Sequence, residues 1–289
     1  MVRILIFLIG FWGVVGTVFS QSIEKGKVKL PFSHPGINRV RTYEVTHADI
    51  PKTFEGFRIA FISDLHYKSK FGEKGLASLV RMLRALQPDL LLMGGDYQEG
   101  CEYVDELFDS IATVKAPYGI VGVMGNNDYE RCHDTIISTM KRNGIHVLEH
   151  EIFPVKRGDS EIFIAGVRNP FDLHRNGNSP VQALDSSAYV ILLTHTPDYA
   201  EDTDNSRADL ALAGHTHGGQ VTFLGLYAPI VPSHYGRRFR TGLKETTQGV
   251  PLIITNGIGT SQRKIRFCAP SEIVLLELHS LKKNGEKGK

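Results

Sequence analysis

Residues 57–66 read "FRIAFISDLH". Phe57 to Ile62 form an apolar run broken only by Arg58, and the run stops abruptly at Ser63-Asp64-Leu65-His66. Such a run reads as a buried strand that ends in polar residues. The same punctuation recurs down the chain. "DLLLMGGD" ends in Gly95-Asp96 and "YGIVGVMGNND" in Gly125-Asn126-Asn127-Asp128. "AYVILLTH" ends in Thr194-His195, and "ADLALAGHTH" in Gly214-His215-Thr216-His217.

Helical patterns separate the first three strands. "GLASLVRMLRALQ" has apolar residues at helical spacing and is stopped by Pro88. "YVDELFDSIATV" is stopped by Pro117, and "DTIISTMKRNG" is closed by Gly144. Strands alternating with helices predict parallel pairing in a layered α/β fold. The second half has fewer helices. "EIFPVKRGDSEIFIAGV" reads as a hairpin with a Gly-Asp turn, and further strands are predicted at "VPLIITNG" and "SEIVLLEL". One two-sheet domain over residues 41–280 accounts for these elements. Residues 21–40 read as a polar, proline-containing linker, and 281–289 as a disordered tail.

The length of 289 residues suits one sizeable core, and no fixed-period repeat is present. A formal charge of +2, from 33 basic and 31 acidic residues, leaves no nucleic-acid footprint. Cys101, Cys132 and Cys268 have no paired spacing, so they are expected as small buried hydrophobes rather than as a disulfide framework or a thiolate zinc site. Residues 1–20 carry one arginine and then an apolar run, Ile4 to Phe19, shorter than the roughly 20 residues of a membrane span. They read as a signal peptide or N-terminal membrane anchor. Lys25, Lys27 and Lys29 follow at once and weigh against outward translocation. The expectation is a membrane-associated or exported, extracytoplasmic protein, with the cytoplasmic face of the membrane as the alternative.

In open α/β sheets ligands gather at the carboxyl ends of strands. A lone Asp-x-His or Gly-Asp would mean little; five polar clusters, each closing an apolar strand, mean a site. Carboxylate, imidazole and amide oxygen without thiolate suit manganese, iron or zinc. Seven such side chains are too many for one ion and about right for two. Asp96 is the candidate to bridge them, because a carboxylate offers two oxygens and a full charge. Paired ions about 3.5–4 Å apart share a hydroxide that attacks phosphorus in line, so no protein nucleophile is needed.

The order Asp64-x-His66, Gly95-Asp96, Gly125-Asn126-x-Asp128, His195, Gly214-His215-x-His217 resembles the calcineurin-like metallophosphoesterase superfamily, over about Phe57 to Leu278. "LAGHTHGGQV" and "NGIGTSQRKIRFCAPSEIVLLEL" are similar to its membrane-associated bacterial branch, which contains YkuE-like and YaeI-like phosphodiesterases, some linked to UDP-2,3-diacylglucosamine hydrolysis. The resemblance implies a four-layer αββα sandwich of two mixed sheets. It also implies one divalent ion on Asp64, His66, Asp96 and His217, and another on Asp96, Asn126, His195 and His215. The implied activity is a phosphodiesterase or pyrophosphatase, on a substrate that includes a phosphorylated lipid, acting as a monomer. A phosphomonoesterase, a protein phosphatase and a non-catalytic binding platform are the alternatives.

One position departs from the pattern. The family histidine after the metal-binding asparagine is Asn127 here, and Asp128, its usual orienting partner, loses that role. An amide donates a hydrogen bond but delivers no proton at neutral pH, so a weakly basic leaving group is expected, or another donor such as His174. Beyond the double histidine, Leu224, Leu226, Tyr227, Ile230 and Val231 precede Arg237, Arg238 and Arg240. This reads either as an apolar ledge beside substrate-binding Arg237, Arg238 and His234, or as ordinary core leucines with solvated arginines. Arg263, Lys264 and Arg266 invite the same two readings.

Overall fold

The computed structural model describes residues 22–25, 37–168, 171 and 177–281. The leader, most of the linker, the tail from 282 and His174 lie outside the described residues. Strands β1 (Ser22–Lys25), β2 (Arg39–His47), β3 (Phe57–Ile62), β4 (Leu90–Met93), β5 (Ile120–Gly122), β6 (His146–Val147) and β13 (Glu272–Ser280) belong to one sheet. Their order in it is β1-β2-β13-β3-β4-β5-β6. A second sheet holds β7 (Glu151–Arg157), β8 (Ser160–Gly166), β9 (Val190–Leu193), β10 (Leu210–Ala213), β11 (Gly242–Glu245) and β12 (Pro251–Ile254). Its order is β11-β12-β10-β9-β8-β7. β3 to β6 pair in parallel, and β13 returns antiparallel to β3.

The period of two in a strand explains why β3 is apolar throughout. Ile59 and Phe61 face a core between the sheets, where they meet Ile162, Ile164, Ile191 and Leu210. Ala60 and Ile62 face the opposite way, toward Leu79, Leu83 and Phe108. Those residues belong to helices α1 (Glu73–Leu86) and α2 (Val104–Ile111), which with α3 (His133–Arg142) cover the outer face of the first sheet. The outer face of the second sheet, Val190, Leu192 and Ala211, is covered by Tyr199 and Ala200 of α4 (Pro197–Asp202) and by Phe239. The result is four layers, αββα.

α1 ends as its sequence requires. Gln87 takes a left-handed conformation and its N–H closes on Leu83 O at 3.1 Å, after which Pro88 cannot continue the helix. Three short strands carry too few apolar residues to show in the sequence: β1, β6 and β11. β2 also lies outside the strands expected from the sequence. It is held beside β13 by a charge: the buried Glu272 carboxylate takes Arg39 and, at 3.2 Å, Arg41. The segment read as a linker therefore supplies an edge strand, β1, paired antiparallel to Tyr43–Thr46.

The cysteine expectation is corrected. Cys101 and Cys132 form a disulfide, with Cα atoms 5.4 Å apart. They sit on the loops that follow β4 and β5, which are neighbours in the sheet although the cysteines are 31 residues apart. Cys268 is free and exposed, so none of the three is a buried hydrophobe.

Glu272 also accepts the backbone N–H of Asn256 at 3.0 Å, tying β13 to the loop after β12. Glu272→Ala leaves two arginines without their buried partner. Denaturant unfolding is expected to show a loss of about 3–5 kcal/mol.

Candidate active site

β3, β4 and β5 of the first sheet and β9 and β10 of the second all end at one seam, and each delivers a polar cluster there. Five of the seven residues expected as metal ligands have a left-handed backbone: Asp64 (φ 53°), His66 (40°), Asp96 (55°), His215 (67°) and His217 (52°). Non-glycine residues rarely adopt this region, which costs about 1–3 kcal/mol each and concentrates at functional sites. The strain bends the chain sharply after each strand and aims the side chain back at the seam.

Two glycines show why the motifs carry Gly before the ligand. A Cβ on Gly214 would lie 2.4 Å from Asp64 Oδ2, and one on Gly125 would lie 2.2 Å from Asp96 Oδ1. Each carboxylate occupies the space that a side chain would fill.

Asp64, His66 and His217 place one ligand atom each within 4.8 Å of one another, and Asp96, His195 and His215 do the same. Asp96 Oδ2 lies 3.4 Å from His66 Nε2 and 3.5 Å from His195 Nε2, between the two groups. His195 Nε2 and His215 Nδ1 are 3.1 Å apart. Two buried atoms here have no hydrogen-bond partner, His66 Nε2 and Asn126 Oδ1. A buried, unpaired ring nitrogen and amide oxygen are costly unless a cation satisfies them. The donor set and these orphaned atoms fit two divalent ions.

The outer nitrogens of the histidines are fixed by protein. His66 Nδ1 is 2.6 Å from Glu99 Oε1, and His195 Nδ1 is 2.7 Å from Gly94 O. Such partners set the tautomer and turn Nε2 toward a metal. Arg266 Nη2 lies 3.3 Å from His217 Nδ1, while its fork also donates to His217 O, Gly259 O and Ala269 O.

The buried groups of the site shift one another's acidity. Burial opposes the Asp96 charge, but His195 and His66 hold its carboxyl well below the usual range. Burial would lower His66, yet the neighbouring Asp96 and Glu99 carboxylates lift it to about 10; His195 is lifted against burial, chiefly by Asp96, to about 9. Burial, and then the charge on His195, push His215 down to about 3.

The other expected site residues fare differently. Asn127 N–H donates to Asp96 Oδ1 at 3.0 Å, and its side-chain amide lies 3.1 Å from Asp96 Oδ2. Asp128 is no partner of residue 127. Its buried carboxylate accepts the backbone N–H groups of Asp96 (2.7 Å), Gly125 (2.8 Å) and Tyr97 (3.0 Å), so it ties the β4 and β5 loops together. The Arg238 guanidinium pairs with Glu201 at 2.8 Å. Arg237 is exposed and stacks on Tyr227 at 4.9 Å. His234 is exposed, anchored by its N–H to Asp198.

Glu99, Arg266 and Phe171, whose ring is 5.1 Å from that of His215, were not singled out from sequence for these contacts. Glu99 and Phe171 belong to no motif, and Arg266 looks like any basic loop residue until its burial is seen.

Comparison with known proteins places this geometry in context. The family model for calcineurin-like phosphoesterase matches residues 57–219. The uncharacterized metallophosphoesterase YkuE of Bacillus subtilis is 26% identical over 254 residues, which cover 86% of this chain and 88% of that protein. The phosphodiesterase YaeI of Escherichia coli is 30% identical over 231 residues, 77% of this chain and 82% of that protein. A transmembrane protein with a metallophosphoesterase domain from Danio rerio is 25% identical over 257 residues, 83% of this chain and 57% of that one.

Glu99→Ala removes the carboxylate that orients His66. Metal affinity at the Asp64–His66–His217 position is expected to fall about 10- to 100-fold, read by metal titration of the full chain.

Proposed function

The chain belongs to the calcineurin-like phosphoesterase family and is a metal-dependent phosphoester hydrolase, and we propose that it prefers a phosphodiester or pyrophosphate with a weakly basic leaving group. Asn127 carries this reading. Its amide sits at the candidate metal pair, against Asp96 Oδ2 and 3.4 Å from His66 Nδ1, yet it has no proton to release at neutral pH. Asp64, His66, Asp96, Asn126, His195, His215 and His217 are the proposed holders of two divalent ions. Bound there, manganese, iron or zinc would lower the pKa of a water and neutralise charge on the phosphoryl oxygens. The protein's own share is positional. Asp128 and Glu99 hold the ligand loops, and Asn127 offers an N–H to a phosphoryl or departing oxygen without protonating it. A basic alkoxide would leave slowly under this arrangement, and a phosphate or aryl oxide would not. The likeness to a phosphodiesterase, YaeI, supports the diester reading over the phosphomonoesterase one.

Purified chain supplied with each metal should hydrolyse bis(p-nitrophenyl) phosphate faster than p-nitrophenyl phosphate, and chelation should abolish both. Across aryl phosphodiesters the rate should depend steeply on leaving-group pKa, and Asn127→His should flatten that dependence. Equal slopes in the two proteins would remove the role assigned to Asn127, and a preference for the monoester would favour the alternative.

The chain is further proposed to be membrane-associated, with its domain on the outer, oxidising side. The Cys101–Cys132 disulfide supports this, because such bonds persist outside the cytosol. The apolar leader and the transmembrane zebrafish relative point to a membrane. Among the described residues no helix is long and apolar enough to cross one. This placement suits a lipid-linked phosphoester on the outer face better than UDP-2,3-diacylglucosamine, which is made in the cytoplasm. Protease added to intact spheroplasts should degrade the domain; full protection would put the site on the cytoplasmic side.

A further inference from the structure

Ten large apolar side chains are exposed among the described residues, and eight of them lie on two loops, 220–231 and 261–268. Phe223, Leu224, Leu226 and Ile230 are 72–81% exposed on the first; Ile265 and Phe267 are 55% and 60% exposed on the second. The loops form one surface. Thr222 N–H donates to Phe267 O and Phe267 N–H to Gln220 O, both at 2.9 Å. The Gln220 side chain spans to Ser261 and Arg263.

The tip of the first loop is a tight turn with Leu224 (φ 52°) and Gly225 (φ 73°) in the left-handed region. Turn tips ordinarily carry Gly, Asn, Asp or Ser. Here a strained leucine and its neighbour Leu226 project into solvent instead. Apolar patches of this kind mark interaction sites.

Charge identifies what covers the ledge. From Leu210 to Ser271 the chain has seven Lys and Arg residues and one acidic residue, Glu245; Arg238, Arg240 and Arg266 are committed to protein partners, while Arg237, Arg263 and Lys264 are exposed. Arg263 and Lys264 are exposed between the apolar residues of the second loop, and Arg237 stacks on Tyr227 beside the first. Apolar tips, aromatic rings and a one-sign basic surround match the boundary between acyl chains and anionic headgroups. The sequence outside the described residues also begins with an apolar run, Ile4 to Phe19.

Given the membrane association proposed above, and independently of the hydrolytic chemistry, we propose that the ledge of loops 220–231 and 261–268 seats directly on an anionic lipid bilayer and holds the metal centre at headgroup level. The mechanical link is Arg266. It stands between Ile265 and Phe267 and turns its guanidinium inward, onto His217 O (3.2 Å) and Gly259 O (2.6 Å). Seating the ledge therefore sets the orientation of the candidate metal ligands to the membrane. A chain held by its leader alone would lack that orientation.

The test separates the ledge from the leader within the full chain. In a Cys268→Ser background, a nitrobenzoxadiazole label is placed at Leu226→Cys. A control label goes at Lys115→Cys, on the exposed loop entering β5, at the opposite end of that strand from the site. The protein is mixed with vesicles of phosphatidylglycerol and phosphatidylcholine, or of phosphatidylcholine alone. With the anionic vesicles, emission from position 226 should shift to the blue and resist quenching by iodide, while position 115 stays quenchable. High salt should reduce the effect. Leu224→Asp with Ile230→Asp should weaken the response at 226 about tenfold, a change of about 1.4 kcal/mol, while turnover of bis(p-nitrophenyl) phosphate is retained. Equal quenching at 226 and 115 in protein that still co-sediments with vesicles would overturn the proposal, leaving the leader as the sole membrane contact and the ledge to another occupant.

Discussion

The site depends on one contact across the seam between the two sheets. The Asp64 carboxylate, at the end of β3, receives the backbone N–H of His215, after β10, on both oxygens at 3.0 Å. No side chain could stand at Gly214 without displacing that carboxylate. This single arrangement brings ligands from separate sheets together and explains why glycine precedes the histidine. A second bridge, His195 Nδ1 to Gly94 O, repeats the logic between β9 and β4. Both bridges require the strand ends of the two stacked sheets to meet, and the apolar core between their faces enforces it.

That core also makes the backbone strain tolerable. Five left-handed non-glycine residues in one site would be a heavy load on a small loop domain. They follow strands buried on both faces, where many packed side chains fix the chain on entry. Asp128 then holds the geometry in place with three backbone hydrogen bonds. The disulfide closes the same pair of loops from outside, joining the segment that carries Glu99 to the one that follows Asn126 and Asn127. Rigidity here is what preorganised chemistry needs, because a misplaced ligand would leave an ion partly uncoordinated.

On the other side of the site the surface is built differently. Arg240 donates to Gly218 O and Gly225 O, and Arg266 to His217 O, so two arginines that could have met substrate instead brace loops. Arg238 is likewise turned to Glu201. Basic residues in this region thus divide into internal braces and an exposed set around the apolar ledge. Only their burial distinguishes them.

The sequence by itself determined the layered fold and the seven candidate ligands. Each strand is an apolar run and each ligand follows one directly, so local pattern and site coincide in the chain. It also showed the substitution at Asn127, since that is a matter of residue identity. The tertiary structure alone decided the Cys101–Cys132 pair, the work of Glu99, Asp128 and Arg266, the commitment of Arg238, and the exposure of Leu224, Leu226 and Ile230. Those depend on which strands become neighbours and which loops are left uncovered. Such relations join residues up to 233 positions apart, as for Arg39 and Glu272, and no local period in the chain encodes them.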